Sequence, residues 1–330
     1  MTVRGLVLGK FLPYHAGHEH LIRTARARVD ELVVLVCSLA REPIPGALRF
    51  RWVRDSHPDC RVIHVAEEVP QEPADDPEFW PIWANLIRRH AGDVDVVFTS
   101  ESYGDELARR IGARHVAVDI ARAAVPIAGR AVRGDPMANW RYIPRVVRPF
   151  YARRVALLGA ESTGKSTLSD KLAERFETVW VPEYGRPYCE IIRPALELEL
   201  GDLEAIAWGQ ATWEDEYAAR ANRVLICDTE LHTTATWCDL LLGAGNRPGW
   251  LDAAARSRHY DLMLLLTPEV PWHDDGTRVL RDRRIEHTAL LKRELDAAGR
   301  AYHVLSGAYE EREAHAIELV AAMLGAPGGR

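Results

Sequence analysis

A phosphate-binding loop is the clearest chemical signature in this sequence. Residues 159–166, GAESTGKS, match the pattern G-x-x-x-x-G-K-[ST] at every fixed position, between an apolar run (155–158) and a helix-compatible run (167–174). In such a loop, backbone N–H groups and a helix N-terminus surround the nucleotide phosphates, the lysine contacts the β- and γ-phosphates, and the last hydroxyl binds Mg²⁺. The predicted ATP-binding residues are Gly159, Glu161, Ser162, Thr163, Gly164, Lys165, Ser166 and Thr167. A glycine-rich turn without a ligand is the alternative interpretation.

A second phosphate-binding signature follows the first apolar run of the chain. Residues 3–9 predict a strand, and the string GKFLPYHAGH (9–18) leads from it into a helical pattern. Two histidines three residues apart, between a strand and a helix, can both face phosphate oxygens, and the glycines allow the backbone to approach closely. The predicted phosphate-binding residues are Gly9, Lys10, Phe11, His15 and His18. The alternative is a pair of surface histidines.

Composition narrows the class of protein. The chain has 330 residues, 47% of them hydrophobic and 27% charged, with a formal net charge of −6, which argues against a broad nucleic-acid-binding surface. No apolar run reaches the roughly 18–20 residues of a membrane span, and the first ten residues do not resemble a signal peptide, so we expect a cytoplasmic protein with no membrane partner. The five cysteines are scattered, with no C-x-x-C pair, and indicate neither a disulfide framework nor a zinc site.

The alternation of strand-like and helix-like segments predicts the fold. Both halves of the chain alternate in this way, and each half begins with a strand that leads into one of the two phosphate motifs. At this length two cores are expected rather than one. We therefore predict an α/β protein with two doubly wound parallel-sheet domains, residues 1–150 and 151–330, with ligands at the carboxyl ends of the strands.

Two further segments of the second half carry candidate functional residues. The apolar strand 224–227 ends at Asp228, a placement that predicts an aspartate orienting Mg²⁺, directly or through water, together with Ser166. The basic segment 270–284 precedes a helix, where small-molecule kinases of the phosphate-loop class place a lid. Its candidates for binding the transferring phosphoryl group are Arg278 and Arg281; a solvated charge run is the alternative.

The first motif resembles the nucleotidyltransferase superfamily of adenylyl- and cytidylyltransferases. The resemblance implies that His15 and His18 stabilise the negative charge that develops on the α-phosphate of ATP, without a covalent intermediate. The segment 127–133 is similar to the superfamily's I-S-x-T-x-x-R motif for pyrophosphate; it keeps Arg133 but has Ala128 and Arg130 in place of the serine and the threonine.

The region around the aromatic residues 79–83 looks like the nicotinamide-mononucleotide (NMN) adenylyltransferase branch of that superfamily. By this resemblance Trp83 would stack on the nicotinamide ring and Arg49 would contact a phosphate. A tryptophan that only packs a helix on the sheet is the alternative.

The order of the two motifs, with DPMANWRYIP (135–144) before the second, resembles the bifunctional NadR family over nearly the whole chain. The resemblance implies an NAD salvage enzyme: an N-terminal NMN adenylyltransferase domain and a C-terminal P-loop ribosylnicotinamide kinase domain. ATP with Mg²⁺ would phosphorylate nicotinamide riboside, with Lys165 as a phosphate contact and Asp228 or Glu183 orienting or deprotonating the 5′-hydroxyl. The NMN product would then attack the α-phosphorus of a second ATP, giving NAD and pyrophosphate.

The same resemblance implies the remaining partners. Candidates for holding the riboside are Tyr184, Arg186 and Trp237. The expected ligands are small molecules (ATP, nicotinamide riboside, NMN and NAD), and the sequence is compatible with a homo-oligomer. Some members carry a DNA-binding helix-turn-helix; because the catalytic strand begins at Val3, we expect no such module and no DNA binding.

Two other interpretations remain open from the sequence, and a third is disfavoured. A regulatory GTPase would need an N/T-K-x-D motif, and none of the four lysines lies in one. The chain could instead be a riboside kinase whose first domain has become a nucleotide-binding sensor, for which Ala128 and Arg130 are the evidence. It could also act on a different nucleoside, because neither phosphate motif reads the base.

Overall fold

The computed structural model describes residues 2–274 and 278–326, which divide into two compact units after residue 147. The sequence predicts this boundary at residue 150. The difference lies in a short helix, Arg148–Tyr151, which contacts the long helix Leu200–Ala218 of the second unit. Each unit is built around one five-stranded sheet.

The first unit contains five strands and five α-helices. They are β1 (Arg4–Gly9), α1 (Ala16–Arg26), β2 (Glu31–Cys37), α2 (Gly46–Ser56), β3 (Arg61–Val65), α3 (Phe79–Ala91), β4 (Val96–Thr99), α4 (Gly104–Ile111), β5 (Arg114–Ala117) and α5 (Gly129–Gly134). All strand pairs are parallel, in the order β3-β2-β1-β4-β5. The order reverses direction at β1, so the loop after β1 lies at the switch point, where doubly wound sheets bind ligands.

The second unit contains the remaining five strands. Its elements are α6 (Arg148–Tyr151), β6 (Arg153–Leu158), α7 (Lys165–Arg175), β7 (Trp180–Val181), α8 (Gly185–Ile191), α9 (Leu200–Ala218), β8 (Val224–Asp228), α10 (Leu231–Leu242), α11 (Gly249–Ser257), β9 (Leu262–Leu266), α12 (Arg284–Ala297), β10 (His303–Leu305) and α13 (Tyr309–Gly325). The sheet is parallel, in the order β10-β9-β6-β8-β7. Leu157 pairs with Asp228, which places the end of β8 beside the loop that follows β6.

The central strands are buried on both faces, which explains their continuous apolar sequences. β2 (ELVVLVC), β8 (VLICD) and β9 (LMLLL) are buried along almost their whole length because helices cover both sides of each parallel sheet. The prediction of two doubly wound parallel α/β domains is therefore confirmed. Across the described residues, no helix combines the length and apolarity that crossing a membrane requires.

Candidate active sites

The first unit has a cavity of about 590 Å³ at the carboxyl end of β1. It brings together five predicted residues: Lys10, Phe11, His15, His18 and Arg133. Gly9 is the last residue of β1, at the entrance to the motif. Arg130 of the pyrophosphate motif also lines the cavity, as do two basic residues that the prediction did not assign to this site, His20 and Arg122. A cavity with this many cationic and N–H donor groups suits a polyphosphate.

The two motif histidines are held in a defined orientation. His15 caps α1, and its Nδ1 accepts the backbone N–H groups of Gly17 at 3.1 Å and His18 at 3.4 Å. Because Nδ1 is an acceptor in these bonds, the ring proton lies on Nε2. The two imidazole rings stack with centroids 3.8 Å apart, and the edge of Phe11 packs on His18. The loop therefore presents the two rings as one rigid unit.

Both histidines are neutral at pH 7. Burial and, to a smaller extent, the positive charge of Arg122 lower the pKa of His15 to about 4. Burial, then His15 and Arg122, lowers the pKa of His18 well below its usual range. Neutral imidazoles can donate N–H hydrogen bonds to phosphate oxygens and do not need to lose a proton first.

The pyrophosphate motif lies at the same cavity. Arg133 donates to the backbone oxygen of Leu12, which ties α5 to the histidine loop. A Cβ at Gly129 would lie 2.6 Å from that same oxygen, so this position accepts only glycine. Arg130 lines the cavity beside Arg133, and so the substitution of threonine by arginine adds a cation to this wall.

Arg49 and Trp83 are not among the residues that line this cavity, and their role in binding NMN stays a prediction. The Arg49 side chain has no exposed surface; it pairs with Glu42 at 2.5 Å and donates to the backbone oxygen of Lys10. Trp83 donates from Nε1 to the backbone oxygen of Pro70 at 2.9 Å and packs against the core of the sheet. The Arg49 guanidinium is already surrounded by protein acceptors, and one of them, the backbone oxygen of Lys10, belongs to the phosphate motif.

The second unit has a cavity of about 120 Å³ next to the phosphate loop. The structure brings together most of the residues predicted for the kinase site: Glu161, Ser162, Thr163, Gly164, Lys165, Ser166, Thr167, Glu183, Arg186, Trp237 and Arg278. Gly159, Tyr184, Asp228 and Arg281 do not line it. The Tyr184 ring packs on Trp213 instead, and Arg281 lies exposed on a short 3₁₀ turn.

The phosphate loop has the conformation that its glycines predict. Gly159 and Gly164 have φ angles of +148° and +91°, and a Cβ at Gly159 would lie 2.7 Å from the backbone oxygen of Leu266. Lys165 begins α7, and its Nζ donates to the oxygens of Gly159 and Ala160 at 3.0 and 3.1 Å. The buried ammonium is thus held inside the curve of the loop.

Asp228 and Ser166 form a donor set that fits Mg²⁺. Ser166 Oγ donates to Asp228 Oδ2 at 2.5 Å, and Asp228 Oδ1 is buried with no hydrogen-bond partner among the described residues. Burial raises the pKa of Asp228 to about 6, while Lys165 acts in the opposite direction. A buried carboxylate with an unused oxygen beside a hydroxyl is the kind of hard oxygen donor pair that Mg²⁺ prefers.

The polar floor of this cavity contains residues that the sequence did not predict. Gln210, Thr229, Thr233 and Thr234 are buried and line it, and Gln210 Nε2, Thr229 Oγ1 and Thr233 Oγ1 have no protein partner among the described residues. The Gln210 Oε1 accepts the backbone N–H of Tyr184 at 2.9 Å, so its NH₂ group is left as a donor. The threonines could have been found from their position just after β8; nothing in the α9 sequence marks Gln210.

A third cavity, of about 320 Å³, also borders this loop. It shares Ser162, Thr163, Gly164, Thr167 and Arg278 with the second cavity and adds His273, Tyr309 and Arg312. The unpaired atoms of Gln210, Thr229 and Thr233 in the second cavity cost free energy unless a ligand forms hydrogen bonds with them. A loop that borders two cavities can hold a phosphoryl donor and a phosphoryl acceptor at once.

A different group of side chains, His57, Asp59 and Cys60, lies close enough together to hold a metal ion. Each of the first two already has a protein partner: Tyr14 Oη lies 2.7 Å from His57 Nε2, and Arg26 pairs with Asp59 at 3.1 Å. The neighbouring arginine opposes a cation, and we assign no metal to this group.

His287 makes the stability of the second unit pH-dependent. It is fully buried beside Trp237, its Nε2 lies 3.0 Å from Thr236 Oγ1, and burial lowers its pKa to about 3. Because the unfolded chain binds a proton near pH 6.5 and the native state does not, this contribution is complete above pH 6.5 and is lost as the pH falls toward 3.

We expect wild type to lose about 2 kcal/mol more free energy of unfolding than His287→Gln between pH 7 and pH 5. Denaturant titrations followed by tryptophan fluorescence at both pH values measure this difference. His315→Gln, an exposed position on α13, is the control and should behave as wild type. Equal losses for wild type and His287→Gln would show that His287 does not carry the effect.

Comparison with known proteins decides the family. The chain is 32% identical to the trifunctional NAD biosynthesis/regulator protein NadR of Escherichia coli (strain K12), in an alignment that covers 97% of this chain and 83% of that protein. The chain belongs to the NadR family. The NadR of Salmonella typhimurium is equally similar, at 32% identity over 98% of the chain and 84% of that protein.

Other comparisons agree with the NadR assignment. A nicotinamide-nucleotide adenylyltransferase of Thermococcus kodakarensis is 28% identical over 46% of this chain and 82% of its own length. A family model described as an AAA domain matches residues 154–312. A solved NadR structure superimposes with a TM-score of 0.81 at 22% identity, covering 100% of this chain and 98% of that one, so the two share a fold. The predicted NAD-biosynthesis enzyme, with a nucleotidyltransferase unit and a kinase unit, is confirmed.

Proposed function

We propose that the two units carry out consecutive steps of NAD synthesis. The second unit transfers the γ-phosphoryl group of ATP to the 5′-hydroxyl of nicotinamide riboside, and the first unit joins the resulting NMN to the adenylyl group of another ATP. The observation that carries the proposal is that each unit has a cavity at the carboxyl end of its first strand, lined by a phosphate motif. Solved NadR proteins have been crystallised with NR and with NAD and AMP-PNP, which supports these ligands.

In the kinase unit, we assign Glu183 as the base that deprotonates the 5′-hydroxyl of the riboside, the group that accepts the phosphoryl group. Its side chain lines the second cavity, whereas Asp228 does not and is already bonded to Ser166. Glu183 accepts the proton of the 5′-hydroxyl as the new O–P bond forms and the bond between the γ-phosphorus and the bridging oxygen breaks, leaving ADP. The Lys165 ammonium and Arg278 neutralise the charge on the transferring group.

The pocket floor suits the riboside. Gln210 presents an N–H donor and the threonines present hydroxyls, while Trp237 and the apolar side chains of Leu198, Leu203 and Ile206 form the walls. Arg186 also lines the cavity and serves as a riboside contact. A pyridine ring with polar substituents on a sugar matches an apolar wall above a polar floor.

Asp228 and Ser166 would hold Mg²⁺ in the kinase unit, through the unused Oδ1 and the hydroxyl. When bound, the ion neutralises charge on the β- and γ-phosphates.

In the first unit, His15 and His18 bind the triphosphate and act by electrostatic stabilisation. The NMN phosphate oxygen attacks the α-phosphorus while the bond to the β-phosphate oxygen breaks, so NAD and pyrophosphate form without a covalent enzyme intermediate. The neutral Nε2–H of His15 donates to the developing charge, and Lys10, Arg130 and Arg133 lie around the cavity to receive pyrophosphate. We leave Arg49 and Trp83 out of this assignment because neither lines the cavity.

The test is a product time course. Purified protein with Mg²⁺, ATP and nicotinamide riboside is expected to form NMN first and then NAD with pyrophosphate, as separated by liquid chromatography. If the protein forms NMN but makes no NAD even from supplied NMN, the first unit is a nucleotide-binding sensor. Reverting Ala128→Ser and Arg130→Thr would then show whether this motif is the cause. No formation of NMN would contradict the kinase assignment.

The expected absence of DNA binding, and the formation of a homo-oligomer, stay predictions.

A further inference from the structure

The phosphate loop of the second unit contains a carboxylate that binds protein backbone. Glu161 occupies one of the four variable positions of the loop motif, where phosphate binding itself requires no particular side chain. Its carboxylate accepts the backbone N–H of Val279 at 3.1 Å and of Leu280 at 2.8 Å. These two amides follow Arg278, which is 117 positions after Glu161 and lines both cavities beside the loop.

Ser162, the next residue of the loop, also binds the part of the chain around Arg278. Ser162 Oγ accepts the backbone N–H of His273 at 2.7 Å and Arg278 Nη1 at 3.1 Å, and its carbonyl accepts Arg284 Nη2 at 3.0 Å. Ser162 adopts a φ of +56°, a left-handed conformation that a serine rarely takes. Together, Glu161 and Ser162 connect the loop to the backbone on both sides of Arg278.

The placement of Glu161 is costly, which argues for a role. A negative charge near the phosphates of ATP opposes binding, and burial raises the pKa of Glu161 while the two amide bonds and Lys165 lower it. A carboxylate that accepts two N–H groups is bound more firmly than a neutral side chain would be. An alanine here would remove the charge but would leave both amides without their acceptor.

We propose that Glu161 is a positioning residue for phosphoryl transfer: it fixes the backbone of Val279 and Leu280 on the phosphate loop, so that Arg278 stays beside the transferring phosphoryl group. The inference rests on the kinase function proposed above. Without the carboxylate, Arg278 would be held only through Ser162 and its own contacts. The arginine would then spend less time at the loop, and the rate at saturating substrates would fall.

A direct contact between Glu161 and the riboside is the competing explanation, because Glu161 also lines the second cavity. A substrate contact and a positioning role affect different measured quantities. A substrate contact acts on the KM for the riboside, and its loss adds to the loss of Arg278. A positioning role acts on kcat and on the amide protons of residues 279 and 280, and has no further effect once Arg278 is absent.

The first measurement uses no activity and therefore does not depend on the proposed function. Amide hydrogen exchange of the full chain is compared between wild type, Glu161→Ala and Glu161→Gln. We expect exchange of the peptide that contains residues 279 and 280 to be about tenfold faster in Glu161→Ala, with the peptides of β6 and β8 unchanged. Glu161→Gln, which keeps one acceptor oxygen, should lie in between. Glu174→Ala, an exposed glutamate on α7, is the matched control and should equal wild type.

The second measurement is a double-mutant cycle on NMN formation. Glu161→Ala should lower kcat about tenfold with little change in the KM for the riboside, and Glu161→Ala with Arg278→Ala should be no slower than Arg278→Ala alone. Additive losses, a rise confined to the riboside KM, or unchanged exchange at 279–280 would each overturn the proposal. If wild type itself makes no NMN, the kinase assignment fails, while the exchange result still decides whether Glu161 holds the segment.

Discussion

Lys165→Ala is expected to lower NMN formation from nicotinamide riboside by roughly 10²- to 10³-fold while leaving NAD formation from supplied NMN at the wild-type rate. The buried ammonium lies inside the curve of the phosphate loop. No other lysine is among the described residues that line the second cavity. Its charge meets the transferring phosphoryl group, so its loss affects the transition state more than binding of the ground state.

The measurement separates the two reactions by their starting material. One assay supplies nicotinamide riboside and the other supplies NMN, both with ATP and Mg²⁺. Lys292→Ala, on α12 and outside the cavities described above, is the control of the same residue type and should retain both activities. If Lys165→Ala keeps more than a tenth of the wild-type rate with riboside, the phosphate loop is not the site of the kinase reaction.

His18→Ala is expected to have the opposite selectivity. NAD formation from NMN should fall by roughly 10²- to 10³-fold, while NMN formation from the riboside continues unchanged. The partly buried ring is stacked on His15 and packed against Phe11, so its loss removes one N–H donor to the phosphates and also frees its neighbour. The expected result is a protein that accumulates NMN.

The control for this variant is His90→Ala, on α3, whose ring pairs with Glu67 and lies outside the first cavity. Thermal unfolding should be measured alongside, because the His18 ring packs on His15 and Phe11. The kinase rate of the same sample shows that the second unit is intact. A wild-type rate of NAD formation in His18→Ala would exclude an essential role for this histidine in adenylyl transfer.

These two variants together test whether each unit carries out a different one of the two reactions. If Lys165→Ala and His18→Ala each remove a different step, equal amounts of the two proteins in one tube should make NAD from the riboside, since NMN is free to diffuse. Restoration of the full pathway in the mixture would show that the two sites do not need to be on the same chain.

Much of each phosphate site was predictable from the sequence because the relevant chemistry is local. The backbone of a strand–loop–helix is determined by a few contiguous residues: Gly159 and Gly164 set the shape of one loop, and the His15 cap sets the start of α1. Asp228 was predictable for a related reason, since residues at the ends of neighbouring parallel strands meet at one edge of the sheet.

The walls of the cavities were not predictable in this way. Gln210 comes from the middle of α9 and reaches the second cavity only because that helix packs beside β8. Arg49 and Trp83 have the residue types expected of NMN contacts, but their side chains find partners within the protein, in Glu42 and in the backbone of Pro70. A motif states which groups are available, and packing decides which of them face the ligand.

The sequence by itself determined that this chain has two parallel α/β units, each opening on a phosphate-binding loop, because strand periodicity and the two motifs are short-range properties. Only the tertiary structure decided that Glu161 binds the amides of residues 279 and 280, that Asp228 keeps one buried oxygen unused, and that the floor of the second cavity is polar. The physical reason is that hydrogen bonds and burial depend on which distant segments the sheet order brings together, and a linear pattern does not contain that information.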